Sequence, residues 1–259
     1  MNIIKELSLR WQKVGISAGD TILLHSDIKR LLMEFKKKNV KILPINILES
    51  FLESIGINGT LIFPLFNFDF AKGKKFNFNK TPSKMGLLTE EARLYKGSVR
   101  TGHPMYSFAV IGYHSSLFYG LDNISAYSDE SPFGLLRKLN GKIAILDLED
   151  QNSMTFYHHI EEIHGVKYRY YKNFTGQYVD VNGETKSKTY KVFVRNIENG
   201  IVTNVNPAGE LMWKNGLYKG DRPREKTGLR LVNSLEMFNF ISELIKSNKA
   251  LNILYSIKK

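Results

Sequence analysis

The chain is expected to fold as an α/β protein with a mixed central sheet flanked by helices and a smaller antiparallel subdomain after about residue 166. Three observations carry that expectation. The apolar runs Thr21–His25 and Leu61–Phe63 bracket a segment that opens at Pro44 and sets Ile47, Leu48, Phe51, Leu52 and Ile55 on one helical face, a strand–helix–strand signature. A third run, Ile143–Leu146, reads as a buried strand and passes directly into a segment with helical character. Beyond Gly165, Tyr178–Val181, the turn Asn182-Gly183 and the return Lys188–Val194 read as a hairpin. The division that follows is a core over 1–165, a β-rich subdomain over 166–228, and a closing strand and helix over 229–259 that return to the core.

Taken in order, Ile3, Ile4, Leu7, Trp11 and Val14 recur at helical spacing, and Gly19-Asp20 turns into the first strand. Residues 66–80 alternate Phe with polar residues and are expected to pack as a satellite of the core rather than to stack on nucleobases. Thr81-Pro82-Ser83 caps a helix over about 82–95 that Lys96-Gly97 ends, and a loop to Ser107 leads into the strand Phe108–Ile111. Ser131-Pro132 opens a helix to Leu139, and Asn140-Gly141 turns into the strand at Ile143. Ser153 is read as the N-cap of the next helix, Pro207–Asn215 as a short helix stopped by Gly216, Leu229–Val232 as a strand, and Ser234 as the cap of the closing helix.

Composition narrows the function. With 259 residues and 42% hydrophobic content there is material for one large domain or two closely joined ones. No stretch reaches the roughly 18 apolar residues of a membrane span, and the charged N-terminus does not resemble a signal peptide, so a cytoplasmic protein is expected. Cysteine is absent, which removes disulfides, thiolate nucleophiles and thiolate metal sites. The net charge of +12, spread along the chain, suits nucleic acid, an anionic membrane surface or small anionic ligands such as phosphates, and counts toward an anionic substrate and against a polycationic one. The dense run Lys36–Lys38 is read as a solvated loop. Neither a glycine-rich phosphate loop nor a Gly-x-Ser-x-Gly elbow is present.

Ser153–His164 holds three of the six histidines and two adjacent carboxylates. On a helix His158 lies beside Glu161 and Glu162, and a histidine oriented by a carboxylate at the end of a strand is suited to general-base work. A metal at His158, Glu162 and His159 or His164 is disfavoured, because His158 and His159 point to different faces. His103, in a loop with Arg100 and Ser107, and His25, at a strand end with Ser26 and Asp27, are the other candidates to contact a ligand.

The sequence resembles the aminoglycoside N(3)-acetyltransferase family. Gly19-Asp20 with Leu24-His25-Ser26, Gly56–Pro64, Thr81–Glu90, Arg100–Phe108, Ser131–Gly134 and Thr155–Glu161 are similar, in order, to six motifs of that family. The resemblance implies acyl transfer from acyl-coenzyme A, acetyl or a longer acyl such as 3-hydroxybutanoyl, to a primary amine on a sugar, without a metal. His158 would be the base, oriented by Glu161, with Thr155 or a backbone N–H as oxyanion donor. His25, Ser26 and Asp27 would lie along the pantetheine, and Arg100, His103 and Ser107 would meet its carbonyl and phosphate groups. The chain departs from the family at Asp147-Leu148-Glu149 and Asn152-Ser153-Met154, which puts the acceptor in question. Asn152 and Met154, together with Tyr168, Arg169 and Tyr171 of a basic, tyrosine-rich segment, are therefore expected to bind a nucleotide-linked (dTDP or UDP) amino sugar of the kind made for surface polysaccharides. The alternatives are an aminoglycoside 3-N-acetyltransferase and a non-catalytic protein binding coenzyme A or a nucleotide. A monomer or homodimer without nucleic-acid or membrane partners is expected.

Overall fold

The computed structural model describes residues 2–258. The N-terminal helix α1 (Ile3–Val14) is capped by the Asn2 side chain and closed by Gly15 at φ 117°. The elements that follow are β1 (Thr21–Ser26), α2 (Lys29–Lys37), α3 (Pro44–Ile55), β2 (Thr60–Pro64), β3 (Phe76–Asn77), α4 (Leu87–Leu94), β4 (Val99–Arg100) and β5 (Phe108–Gly112). Helices α5 (Ser115–Phe118) and α6 (Pro132–Lys138) lead to β6 (Lys142–Leu146) and α7 (Phe156–Ile163). A long hairpin of β7 (Arg169–Val179) and β8 (Thr185–Arg195) precedes β9 (Ile201–Thr203), α8 (Asn206–Lys214), β10 (Lys219–Gly220), β11 (Leu229–Asn233), α9 (Ser234–Lys246) and β12 (Tyr255–Ile257).

Seven strands form the central sheet in the order β10-β11-β6-β1-β2-β5-β4. Its middle, β6-β1-β2, is parallel, and the outer pairings are antiparallel. Both faces are covered, so the central strands read as unbroken apolar runs. The side chains divide by strict alternation. Ile22, Leu24, Leu61, Phe63, Ala144 and Leu146 pack on one face against Leu7 and Trp11 of α1 and Phe51 of α3. Leu23, Ile62, Ile143 and Ile145 pack on the other with Phe133, Phe156, Tyr157 and Ile241. Tyr178 and Tyr190 of the hairpin are buried in this second cluster. β3 adds to β7 in parallel, with Phe76 opposite Tyr178, and β9 pairs with β12.

Several boundaries differ from the sequence reading. Lys36 and Lys37 end helix α2 instead of lying in a loop, and Leu31 and Phe35 are the buried residues that hold this short helix to the core. Helix α4 starts at Leu87, not near 82. Thr81 accepts a hydrogen bond from the Asn77 amide (2.8 Å) and the Pro82 carbonyl accepts one from Asn67 (2.9 Å), which ties residues 81–83 to the preceding turn. Helix α7 starts at Phe156, because the Ser153 hydroxyl donates to the Glu149 carbonyl (2.7 Å) and caps nothing. Asn233, whose side chain accepts from the Leu235 and Glu236 amides, is the cap of α9 in place of Ser234. The phenylalanines Phe66, Phe70, Phe76 and Phe78 are buried in the core cluster, as satellite packing requires.

Candidate active site

Strand β6 delivers the chain to the edge of the sheet at Asp147, which adopts φ 54°, and a single 3-10 turn over Asp150–Asn152 precedes α7. The start of α7 is fixed from below. Asp150 accepts hydrogen bonds from Tyr157 (2.8 Å) and Tyr218 (2.7 Å) on one oxygen and from Arg230 (2.8 Å) on the other. With Tyr157 anchored, the next residue, His158, is only half-buried, and Glu161 one turn later is fully buried.

His158 Nδ1 lies 2.8 Å from Glu161 Oε2. Arg169, the first residue of β7, sets Nε 2.7 Å from the same carboxylate oxygen and Nη2 2.8 Å from His158 Nδ1. One ring nitrogen serves one of these partners at a time. Arg169 has other acceptors, since Nη1 donates to the Phe193 carbonyl (3.0 Å) and Nη2 reaches Thr203 Oγ1 (3.3 Å). A carboxylate is the stronger acceptor for Nδ1–H, and that bond leaves the Nε2 lone pair free. Burial raises the Glu161 carboxyl, but Arg169 and His158 outweigh it and hold the group below its ordinary range. Burial and then the Arg169 guanidinium push His158 down, against the opposing pull of Glu161. At neutral pH the imidazole is therefore uncharged and able to take a proton.

Two cavities meet at this histidine. One, of about 210 Å³, is lined by Phe66, Phe68, Met85 and the loop Asp150–Thr155. The other, of about 310 Å³, lies under the hairpin and is lined by Arg169, Tyr170, Lys172, Phe174 and Arg195. Tyr106, His158 and Thr203 line both. A third cleft, of about 600 Å³, opens past the end of β1 between Asp27, Lys29, Arg30, Lys37 and Arg224. Among the described residues no three metal-ligating side chains converge, and no helix is long and apolar enough to cross a membrane.

Of the residues singled out in the sequence, His158, Thr155, Asn152 and Met154 line the first cavity, and Arg169 lines the second. Thr155 makes no capping hydrogen bond with its side chain. Asp27 lines the third cleft and Ser26, half-buried, ends β1 beside it. The others are placed differently. Arg100 is buried, donates to the Phe78 and Thr81 carbonyls and to Ser107, and stacks over Phe76 (4.9 Å), so both Arg100 and Ser107 serve to close the 78–81 turn on the sheet. His103 is fully buried, its Nδ1 accepts from the Met105 and Tyr106 amides, and burial pushes it to about 4. His25 is buried beside Arg230 and pushed to about 3 by burial and then by that charge. None of these four lines either cavity at His158. Tyr168 stacks on Tyr255 (3.9 Å). Tyr171 packs against Phe193 (4.9 Å) and does not line the cavity, whereas its neighbours Tyr170 and Lys172 do. His159 donates to the Tyr127 carbonyl (2.7 Å) and His164 bonds Ser242 (2.8 Å), and both are structural. Tyr106 lies within the Arg100–Phe108 motif, and Tyr170 and Lys172 within the basic, tyrosine-rich segment, but none of the three is singled out there, and nothing in the sequence marks Thr203 or Arg195.

The aminoglycoside 3-N-acetyltransferase family matches residues 23–246. The chain belongs to that family. The fold agrees with several solved structures. The aminoglycoside acetyltransferase AAC(3)-Xa is 18% identical over 94% of this chain and 92% of its own, with a TM-score of 0.79. AAC-IIIb, solved as a binary complex with CoASH, is 18% identical over 95% of this chain and 96% of its own, with a TM-score of 0.77. YokD from Bacillus subtilis is 19% identical over 95% and 94%, with a TM-score of 0.76. No curated protein matches the chain in sequence. As a member of this acetyltransferase family, the chain takes its acyl group from acetyl-coenzyme A.

Proposed function

We propose that the protein transfers an acetyl group from acetyl-coenzyme A to the primary amine of a nucleotide-linked (dTDP or UDP) amino sugar. The observation that carries the reading is His158, bonded to Glu161 and exposed at the junction of two cavities. An amine attacks a thioester only as the free base, so the ammonium first gives its extra proton to water, and His158 Nε2 takes the proton that attack leaves on nitrogen. Glu161, itself held by Arg169, fixes the ring and stabilises the imidazolium. Thr155, whose hydroxyl is free of the helix, donates to the tetrahedral oxyanion. The thioester needs no further activation, so the step uses no metal. Lys29, Arg30 and Arg224 in the cleft beside Asp27 suit the phosphates of the coenzyme.

The acceptor is argued from the cavity under the hairpin. Arg169, Lys172 and Arg195 line it with cations, and Tyr170 and Phe174 add aromatic faces. Such a lining suits a diphosphate and a nucleobase and repels a polycation. In the other cavity the one carboxylate of the lining, Asp150, is already neutralised by Arg230. The second reading, aminoglycoside 3-N-acetylation, is favoured by the family match and by two solved relatives. AAC-VIa was solved bound to sisomicin (16% identical, TM-score 0.74), and a mutant of AAC(3)-IVa in complex with a gentamicin (18% identical, TM-score 0.72). Free-thiol release from acetyl-CoA and from 3-hydroxybutanoyl-CoA, measured with dTDP- and UDP-amino sugars and with aminoglycosides, separates the two. Turnover with the nucleotide sugars alone is the expected result, and turnover with aminoglycosides alone overturns it. A protein that bound coenzyme A and turned over nothing would be the non-catalytic member of the fold.

A further inference from the structure

We propose that Tyr106 is a second catalytic donor to the tetrahedral oxyanion, paired with Thr155 across the junction of the two cavities; this rests on the acyl-transfer reading above. On that reading the amine comes from the cavity under the hairpin and the acyl group from the other, which puts the reacting carbonyl where the cavities meet. Tyr106, His158 and Thr203 are the residues common to both linings. His158 is committed to the proton of the amine. Thr203 Oγ1 already accepts from Arg169 (3.3 Å). The Tyr106 hydroxyl is the other donor on that wall, and its ring is fixed by four aromatic neighbours.

The surroundings hold this side chain in place. Its ring packs against Phe66 (4.8 Å), Phe68 (5.3 Å), His103 (5.8 Å) and Tyr127 (4.9 Å), and its backbone amide donates to His103 Nδ1 (3.1 Å). The buried His103 thus orients the tyrosine through the backbone, which gives that histidine a positioning role without contact with the coenzyme. Tyr127 bridges to the base, its ring 5.4 Å from His158. Burial raises the Tyr106 hydroxyl, with the Tyr127 hydroxyl pulling the other way and Arg169 adding to that pull. A phenol raised above its usual value of about 10 keeps its proton throughout the working range and acts as a donor, not as an acid.

In the step, the amine nitrogen bonds to the thioester carbon and the C=O pair moves onto oxygen. That oxygen accepts hydrogen bonds from Tyr106 and Thr155. The amine proton passes to His158 Nε2. When C=O re-forms, the C–S bond breaks, and the departing thiolate takes the proton from the His158 imidazolium. Amide and CoASH leave, and Tyr106 keeps its proton throughout.

Tyr106→Phe removes the hydroxyl and keeps the ring and its four aromatic contacts. The expected result is a fall in kcat of about 10²-fold, the cost of one oxyanion donor, with KM for acetyl-CoA and the melting temperature unchanged. Affinity for CoASH, which has no thioester carbonyl, should also be unchanged. The conservative control Tyr127→Phe should cost much less. A Tyr106→Phe protein with kcat within about twofold of wild type overturns the proposal, as does a fall in CoASH affinity that accounts for the lost rate. If wild-type protein releases no CoASH with any amine, the acyl-transfer reading fails first and the role of Tyr106 fails with it; loss of the effect in an active enzyme removes the role of Tyr106 alone.

Discussion

Two buried carboxylate–arginine clusters flank α7, and they are built to opposite ends. At its start, Asp150 is surrounded: Tyr157 and Tyr218 fill one oxygen, Arg230 the other, and Arg230 also donates to the Leu148 carbonyl (2.5 Å) while lying over the Tyr218 ring (5.1 Å). At its far end Glu161 shares one oxygen with His158 and Arg169, and its other oxygen has no hydrogen-bond partner among the described residues. The first cluster is closed and holds loop, helix and strand together. The second keeps a titratable ring, with a side chain 20% exposed, at a cavity wall. Burial of charge does not by itself mark a catalytic site; a buried ion pair that leaves one member able to change protonation does.

The largest expected effect comes from opening the closed cluster. Asp150→Ala leaves the Arg230 guanidinium buried without its partner, and should lower the unfolding free energy by about 3–5 kcal/mol in denaturant titrations. A loss under about 1 kcal/mol would show that the cluster is not what anchors α7. His158→Ala should do the reverse, lowering kcat by about 10²–10⁴-fold with little change in melting temperature, because this ring is at a cavity edge.

The open cluster should also show in pH profiles. The base must be neutral, and the folded protein lowers its pKa, so the acid limb of kcat/KM should lie below the usual histidine value of about 6.5. Arg169→Gln removes a depressing charge and should move that limb to higher pH; an unmoved limb would mean that His158 is not the titrating base. The smallest effect tests the acceptor side. Lys172→Ala should raise the acceptor KM about tenfold, or roughly 1.4 kcal/mol, while Tyr171→Ala, at a residue that does not line the cavity, should leave it unchanged. Equal effects at both positions would mean that the cavity under the hairpin does not receive the acceptor.

Much of the scaffold is set locally and so can be read from the residues in order. The runs at Ile22–Leu24, Leu61–Phe63 and Ile143–Leu146 are buried on both sheet faces, and that alone makes them continuous and recognisable. The pair His158 and Glu161 is legible for a similar reason, since three residues on a helix is about one turn. Helix α2 is hidden in the sequence because its lysines mask an apolar face that amounts to Leu31 and Phe35.

What tertiary structure alone decided involves partners distant in sequence. The arginine that holds Glu161 begins another strand 11 residues after His158, and the one that neutralises Asp150 lies 80 residues on. That Tyr170 and Lys172 line the cavity while Tyr171 packs against Phe193 is set by how the hairpin sits on the core. Arg100 and His103 sit in a motif that suggests ligand contact, yet packing turned one onto backbone carbonyls and buried the other under Tyr106. A residue's type fixes what chemistry it can do; its neighbours in space fix whether a ligand can reach it.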